Sequence, residues 1–273
     1  MLGAIIGDII GSPYEHCDIH PMKSKEFPLF TTHCRFTDDT VTTIAVAEAL
    51  MQGKRDRHGY VTPLRDRLRY WCRQYPNAGF GGFFRRWFMK DHAAPYGSFG
   101  NGAAMRVAPA GWVGQNLDEV QELAELTAVV SHDHEQAIIG AMAVASAIYL
   151  ARIGTSKDEI RAYIQDHWYP LDKSVDDIRP GYSFAVDTAH SVPEAITCFL
   201  ESTSFEDAIR NAVSLGGDTD TQAAMAGAIA EAYYGIPQDI AQQGLQYVPA
   251  EMRRVITVFH DQYMTPPKDG ELL

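Results

Sequence analysis

The sequence has no C-x-x-C pair, no continuous run of Lys and Arg, no long uninterrupted apolar segment and no stretch of alternating β-branched residues. Each absence excludes something. The four cysteines, Cys17, Cys34, Cys72 and Cys198, lie far apart, which fits reduced thiols in a reducing compartment and not a disulfide framework. There are 23 Lys and Arg against 35 Asp and Glu, a formal net charge of −12. A surface that tracks a nucleic-acid backbone needs a basic stripe, so that class of partner is not expected. Without ~18 consecutive apolar residues no membrane span is expected. The N-terminal segment Met1–Gly11 is apolar, but it has no basic flank and Asp8 interrupts it, so it does not read as a signal peptide. A cytoplasmic location is the expectation. The missing period-2 pattern argues against β-structure.

What is present is an ordinary globular composition, 46% hydrophobic and 21% charged, over 273 residues. That length supports a sizeable core without staples. Apolar spacing predicts helices over 2–12, 38–52, 62–74, 117–131, 134–153, 156–167, 193–201, 204–214, 218–235, 237–244 and 249–263. In the first of these Gly3, Gly7 and Gly11 recur every fourth residue, a smooth face that suits close backbone packing. The stretch 76–112 is rich in Gly yet carries five Phe and two Trp, and reads as structured loops with short helices. Residues 168–192 read as irregular. The expectation is one all-α domain over 1–265 with a frayed tail over 266–273.

Four motifs could carry chemistry. Phe36-Thr37-Asp38-Asp39-Thr40 and Gly216-Gly217-Asp218-Thr219-Asp220-Thr221 each stand immediately before an apolar helix. A lone Thr or Asp there would be a helix cap. Each cluster holds more acid than capping needs, and neighbouring carboxylates repel unless a positive charge sits among them. Four carboxylates with hydroxyls form an oxygen ligand set suited to Mg²⁺, Ca²⁺ or Mn²⁺, whereas zinc prefers Cys and His. The spacing is not that of a calcium loop. If the two helix starts meet, they could hold two metals.

The third motif is Gly97-Ser98-Phe99-Gly100-Asn101-Gly102-Ala103-Ala104-Met105-Arg106. It reads either as a plain turn or as a backbone cradle for phosphate, and it is not a Walker loop because no Gly-Lys-Ser/Thr follows. The fourth is Ser131-His132-Asp133-His134-Glu135. It lacks the second His of a metallopeptidase helix. His132-Asp133 suggests the helical HD phosphohydrolases, but further ligands for such a site are not assignable. Glu15, beyond the first helix, reads by itself as a surface acid.

Taken in order, Gly7-Asp8, Glu15, Phe36–Thr40, Gly100–Arg106, Ser131-His132-x-His134 and Gly217–Thr221 make the chain resemble the ADP-ribosylglycohydrolase family, which includes the dinitrogenase-reductase-activating glycohydrolases. The matches span residues 3 to about 235. One departure is Glu135, where the family often has Pro. The resemblance implies an all-α orthogonal multi-helix bundle and a binuclear Mg²⁺ or Mn²⁺ site. Thr37, Asp38, Asp39, Asp218, Asp220 and Thr221 would be metal ligands. Gly100, Asn101, Gly102 and Met105 would lie along the pyrophosphate or distal ribose, with His132 on the ribose or a phosphate. Tyr182 would be a stacking platform for adenine. Asp38, Glu15 and Asp218 would form the catalytic set, with Asp38 or Glu15 as general acid or base.

The implied reaction is hydrolysis at C1 of the distal ribose of an ADP-ribosylated protein side chain or small-molecule ADP-ribose conjugate, by a monomer. Two other classes stay open on the residues alone: a non-catalytic ADP-ribose reader, and a metal-dependent nucleotide phosphohydrolase.

Overall fold

A computed structural model describes residues 1–15, 21–53 and 57–264. Cys17, the first part of the loop at 16–35 and the tail at 266–273 lie outside the described residues. Among the described residues the chain is a helical bundle without strands, and a lone β-bridge joins Gly100 to Asp187. The all-α class expected from the spacing is the one observed.

In chain order the helices are α1 (Leu2–Gly11), α2 (Asp38–Gln52), α3 (Arg57–Gln74), α4 (Gly82–Met89), α5 (Gly102–Met105), α6 (Ala108–Val113), α7 (Leu117–Val129) and α8 (Glu135–Arg152). They continue as α9 (Lys157–His167), α10 (Val175–Ile178), α11 (Val192–Leu200), α12 (Phe205–Val213), α13 (Thr219–Tyr234), α14 (Gln238–Gly244) and α15 (Ala250–Tyr263). No described helix is long and apolar enough to cross a membrane.

Helices α1 and α13 form the centre. Both are buried around most of their circumference, as a helix inside a bundle must be. The glycine stripe explains how they approach. A Cβ on Gly11 would stand 2.5 Å from Asp220 Cα, and one on Gly227 would stand 2.5 Å from Gly3 O. Gly3 and Gly7 face the α13 backbone in the same way. Glu231 locks the far end of the pair by accepting the N–H groups of Leu2 (3.1 Å) and Gly3 (2.9 Å). Gly7→Ala or Gly11→Ala is expected to destabilise the fold by about 1–3 kcal/mol or more, since backbone and not a movable side chain fills the space. Denaturant unfolding of each variant measures this.

Two local expectations needed correction. Helix α3 begins at Arg57, not at 62, and runs through Pro63. Tyr60, Leu64 and Leu68 form its buried stripe at four-residue spacing, and that packing outweighs the missing Pro63 donor. The irregular 168–192 segment contains the single-turn α10, made by a capping box in which Ser174 and Asp177 bond reciprocally. Cys34, Cys72 and Cys198 are free and buried, so burial rather than pairing accounts for them.

Candidate active site

The site lies at one end of the central pair, where the C-terminus of α1 meets the N-termini of α2, α5 and α13. Thr37 caps α2 by accepting the Asp39 N–H, which leaves Asp38 and Asp39 in the first turn. Before α13, Gly216 (φ +73°) and Gly217 (φ +75°) adopt left-handed backbone. Two such residues in succession make the tight turn that brings Asp218, Asp220 and Thr221 to the same point. A side chain on Gly217 would also strike Ser183 O at 2.9 Å.

The two acidic clusters do meet. Carboxylate oxygens of Asp8, Asp39 and Asp220 lie within 4.8 Å of one another, and so do those of Glu15, Asp218 and Asp220. Asp220 belongs to both groups. Thr221 Oγ1 donates to Asp39 Oδ2 at 3.2 Å, a direct link between α13 and α2. Asn101 Nδ2, at the start of α5, donates to Asp218 Oδ2 at 2.7 Å. The carboxylates reinforce each other's protonation. Burial raises Asp38 and Asp39 well above the usual carboxylate range, and Asp220 beside them raises both further. Burial does the same to Asp220, helped by Asp218 and Asp8. Asp8 and Asp218 are pushed up to about 6, again chiefly by burial.

This donor set fits a hard divalent cation. Every ligating atom is oxygen, the carboxylates crowd together, and Asp39 Oδ1 is buried without a hydrogen-bond partner. A cation among them would relieve both the repulsion and the orphaned lone pairs.

Asp8 is the site residue that the motif reading left out of the ligand set. It is fully buried and accepts four hydrogen bonds: Thr37 N at 2.9 Å, Thr37 Oγ1 at 2.7 Å, Thr40 N at 3.1 Å and Thr40 Oγ1. The available signal was an aspartate inside an otherwise apolar helix. Thr37, assigned as a ligand, has its hydroxyl directed to Asp8 Oδ1.

From the carboxylates a cleft of about 390 Å³ opens to solvent. Its lining contains Glu15, Asp38, Asp39, Asp218, Asp220 and Thr221 at one end. Gly100, Asn101, Gly102, Met105, Arg106 and His132 line it further along, so the glycine loop and the His motif reach the same cavity as the acids. The α4 N-terminus, with Gly79, Gly81 and Gly82, adds a wall, and so do Phe83, Phe84 and Tyr96. The glycine-rich aromatic stretch therefore supplies a face of the cleft.

Tyr182, expected as a stacking platform, is not among the residues that line this cleft. Its hydroxyl accepts from Gln222 Nε2 at 2.5 Å and donates to His190 O at 2.8 Å. Those bonds hold it as a loop anchor, while Phe184 and Val186, from the same loop, reach the cavity.

His132 is set by a relay. Arg106 donates to Ser131 Oγ at 2.8 Å, and the same hydroxyl shares a hydrogen bond with His132 Nδ1, 2.8 Å away. Nε2 on the other side of the ring faces Tyr96 OH at 3.3 Å and sits 2.9 Å from where a Gly102 Cβ would be. Burial, and then the Arg106 charge, hold His132 well below its ordinary pKa. It is a neutral imidazole beside the glycine loop.

Known proteins resemble this chain along most of its length. The human ADP-ribosylhydrolase ARH3 is 29% identical over 87% of this chain and 85% of its own length. The ADP-ribosylarginine hydrolase Tri1 of Pseudomonas putida is 27% identical over 86% of this chain and 70% of its own. A solved structure described as an ADP-ribosylglycohydrolase-related protein complex superposes with a TM-score of 0.69 at 24% identity, covering 95% of this chain and 96% of that one. The family model described as ADP-ribosylglycohydrolase matches residues 1–267, a span that takes in α1, both acid-bearing helix starts and the glycine loop between them. By that match the chain belongs to the ADP-ribosylglycohydrolase family.

Proposed function

We propose that this protein is a metal-dependent hydrolase that cleaves the glycosidic bond between the distal ribose of ADP-ribose and its acceptor, a protein side chain or a small molecule. The observation that carries the reading is the meeting of the α2 and α13 acid clusters at the end of a cleft of ligand size. Relatives named as ADP-ribosylhydrolases support the same reaction class.

Asp39, Asp218 and Asp220, with Asp8 and Glu15 beside them, are the residues that would hold two Mg²⁺ or Mn²⁺, and Asp38, Thr221 and the Thr37 hydroxyl, now donating to Asp8, would be further oxygen donors. When bound, such ions supply positive charge that orients ribose hydroxyls and lowers the pKa of water. The chain's own residues do the rest. Asn101 orients Asp218 through its 2.7 Å bond. Gly100, Gly102 and Met105 line the wall along which the pyrophosphate lies, with the neutral His132 imidazole beside them. Phe83, Phe184 and Val186 are exposed apolar groups at the cleft, suited to the flat faces of a nucleoside.

In the reaction the bond from C1 to the acceptor heteroatom breaks and a water oxygen bonds to C1, through an oxocarbenium-like transition state. The water's proton passes to a carboxylate, Glu15 or Asp38, and that carboxyl returns a proton to the departing heteroatom. That both Asp38 and Glu15 line the cleft at its acidic end supports either in this role.

Mass-spectrometric assay of defined ADP-ribosyl conjugates with Mg²⁺, with Mn²⁺ and with chelator tests this. Release of free ADP-ribose with either metal and its loss with chelator are expected. Phosphate release with the glycosidic bond intact would instead indicate a phosphohydrolase, and tight binding without turnover in every metal a reader.

A further inference from the structure

The loop at 179–188 brings Phe184 and Val186 to the cleft, yet between α10 and α11 only a short 3₁₀ turn, Thr188–His190, is regular. Its far end is secured by backbone bonds, Asn101 N to Val186 O at 2.8 Å and Thr188 N to Phe99 O at 3.1 Å. Its near end is secured by a side chain from a distant segment. Lys23 Nζ donates to Arg179 O at 2.8 Å, to Tyr182 O at 2.7 Å and to Leu215 O. An ammonium has three donors, and here three main-chain carbonyls from two loops accept them.

We infer that Lys23 is a positioning residue for the active site: its ammonium ties the loop carrying Phe184 and Val186 to the turn that presents Asp218. Leu215 stands three residues before Asp218, with only Gly216 and Gly217 between. Both glycines have left-handed backbone and no side chain to hold them, so the turn depends on what packs against it. Packing is close on both sides. A Cβ on Gly216 would lie 3.1 Å from Pro21 Cβ and 3.5 Å from Lys23 Cε, and one on Gly217 would lie 3.0 Å from Phe184 Cα. Lys23 therefore sits where the two loops touch. Leu215 O also follows the C-terminus of α12, whose partial negative charge favours a cation.

The inference rests on the hydrolase reading for its activity measurements. Removing the ammonium leaves three carbonyls to repel one another and loosens a junction then held only by Arg179 Nε on Ser214 Oγ (2.9 Å) and the Tyr182 hydroxyl bonds among the side-chain ties described. Lys23→Met, which keeps most of the stem, and Lys23→Ala are each expected to lower kcat/KM by about 10–100-fold, the range for partners that hold metal ligands from behind. The loss should show as a higher substrate KM and a higher half-saturating Mn²⁺ concentration. Methylammonium at millimolar levels should restore a part of the Lys23→Ala loss, because it supplies N–H donors to the vacated carbonyls. Tetramethylammonium, which has none, should not.

Hydrogen exchange of the amides of 183–188 reads the tie without reference to turnover, and protection should fall in both variants. Wild-type kcat/KM and wild-type protection in Lys23→Met would overturn the inference. So would unfolding of both variants, or a loss of activity in Lys23→Ala that methylammonium leaves untouched. Absence of turnover by the wild-type protein on every conjugate would instead remove the hydrolase reading, and the exchange measurement would still decide the role of Lys23.

Discussion

Asp220→Asn is expected to lower hydrolysis by about 10³-fold and, in the same protein, to raise the melting temperature of the metal-free form. The two effects have one cause. Asp220 is shared by both carboxylate groups and is almost fully buried, so it bears on every charge in the cluster. Without metal that carboxyl must either stay charged among other acids or take up a proton that the unfolded chain does not hold at neutral pH. Both courses cost stability, and a neutral amide of the same shape avoids them. Replacing buried ionic groups by neutral side chains of similar volume stabilises by about 1–4 kcal/mol in favourable cases. Activity moves the other way. Losing the shared ligand removes several kcal/mol of charge stabilisation, and roughly 4 kcal/mol corresponds to a rate loss of about 10³-fold. Thermal melts with and without Mn²⁺, beside a turnover assay, measure both. The variant should also lose the metal-induced rise in melting temperature. A fall in the metal-free melting temperature would show that Asp220 is a structural acid and not a ligand held in readiness.

The parts legible from sequence were those whose signal is local. Asp38-Asp39 and Asp218-x-Asp220 stood out because two acids at one helix start exceed what a cap requires, and the structure brings Asp39 to Asp220 and Asp218 to Asp220, while Asp38 lines the adjoining cleft. The Gly3-Gly7-Gly11 stripe announced a close approach, although nothing in it named α13 as the partner. What failed to show was long-range or directional. Asp8 finds its partners 29 and 32 residues away, so from its neighbours alone it is an interruption in an apolar run. Tyr182 and Phe184 are two residues apart on one loop, and no propensity rule says which ring enters the cleft. The hydroxyl decides it, since Gln222 and His190 engage Tyr182 while Phe184 has no such group to satisfy. The helix expected from residue 62 starts earlier because the buried stripe of Tyr60, Leu64 and Leu68 runs past Pro63.

Acidification from pH 7.5 to pH 5 is expected to stabilise the metal-free protein, the reverse of ordinary acid denaturation, and bound divalent metal should cancel the trend. Asp8 and Asp218 titrate in the fold near about 6 against a usual 3.8, with Asp38, Asp39 and Asp220 shifted further in the same direction. A carboxyl whose folded pKa is raised binds more protons folded than unfolded between those two values. Stability is therefore present below the unfolded value and is lost as pH rises through the window from 3.8 to about 6, and beyond it for the other three. Above that window the cluster carries uncompensated charge, and there a divalent ion has most to offset. Saturation to 100 times its Kd contributes about 2.7 kcal/mol to the folded state, roughly 5–10 °C in melting temperature for a domain of this size. At pH 5 protons compete for the same oxygens, so the metal-induced rise should shrink and the apparent Kd should increase. A grid of melts over pH 5–7.5, with chelator and with Mn²⁺ or Mg²⁺, reads all three quantities at once. A metal-induced rise that is as large at pH 5 as at pH 7.5 would mean that the cation binds outside the carboxylates of α1, α2 and α13.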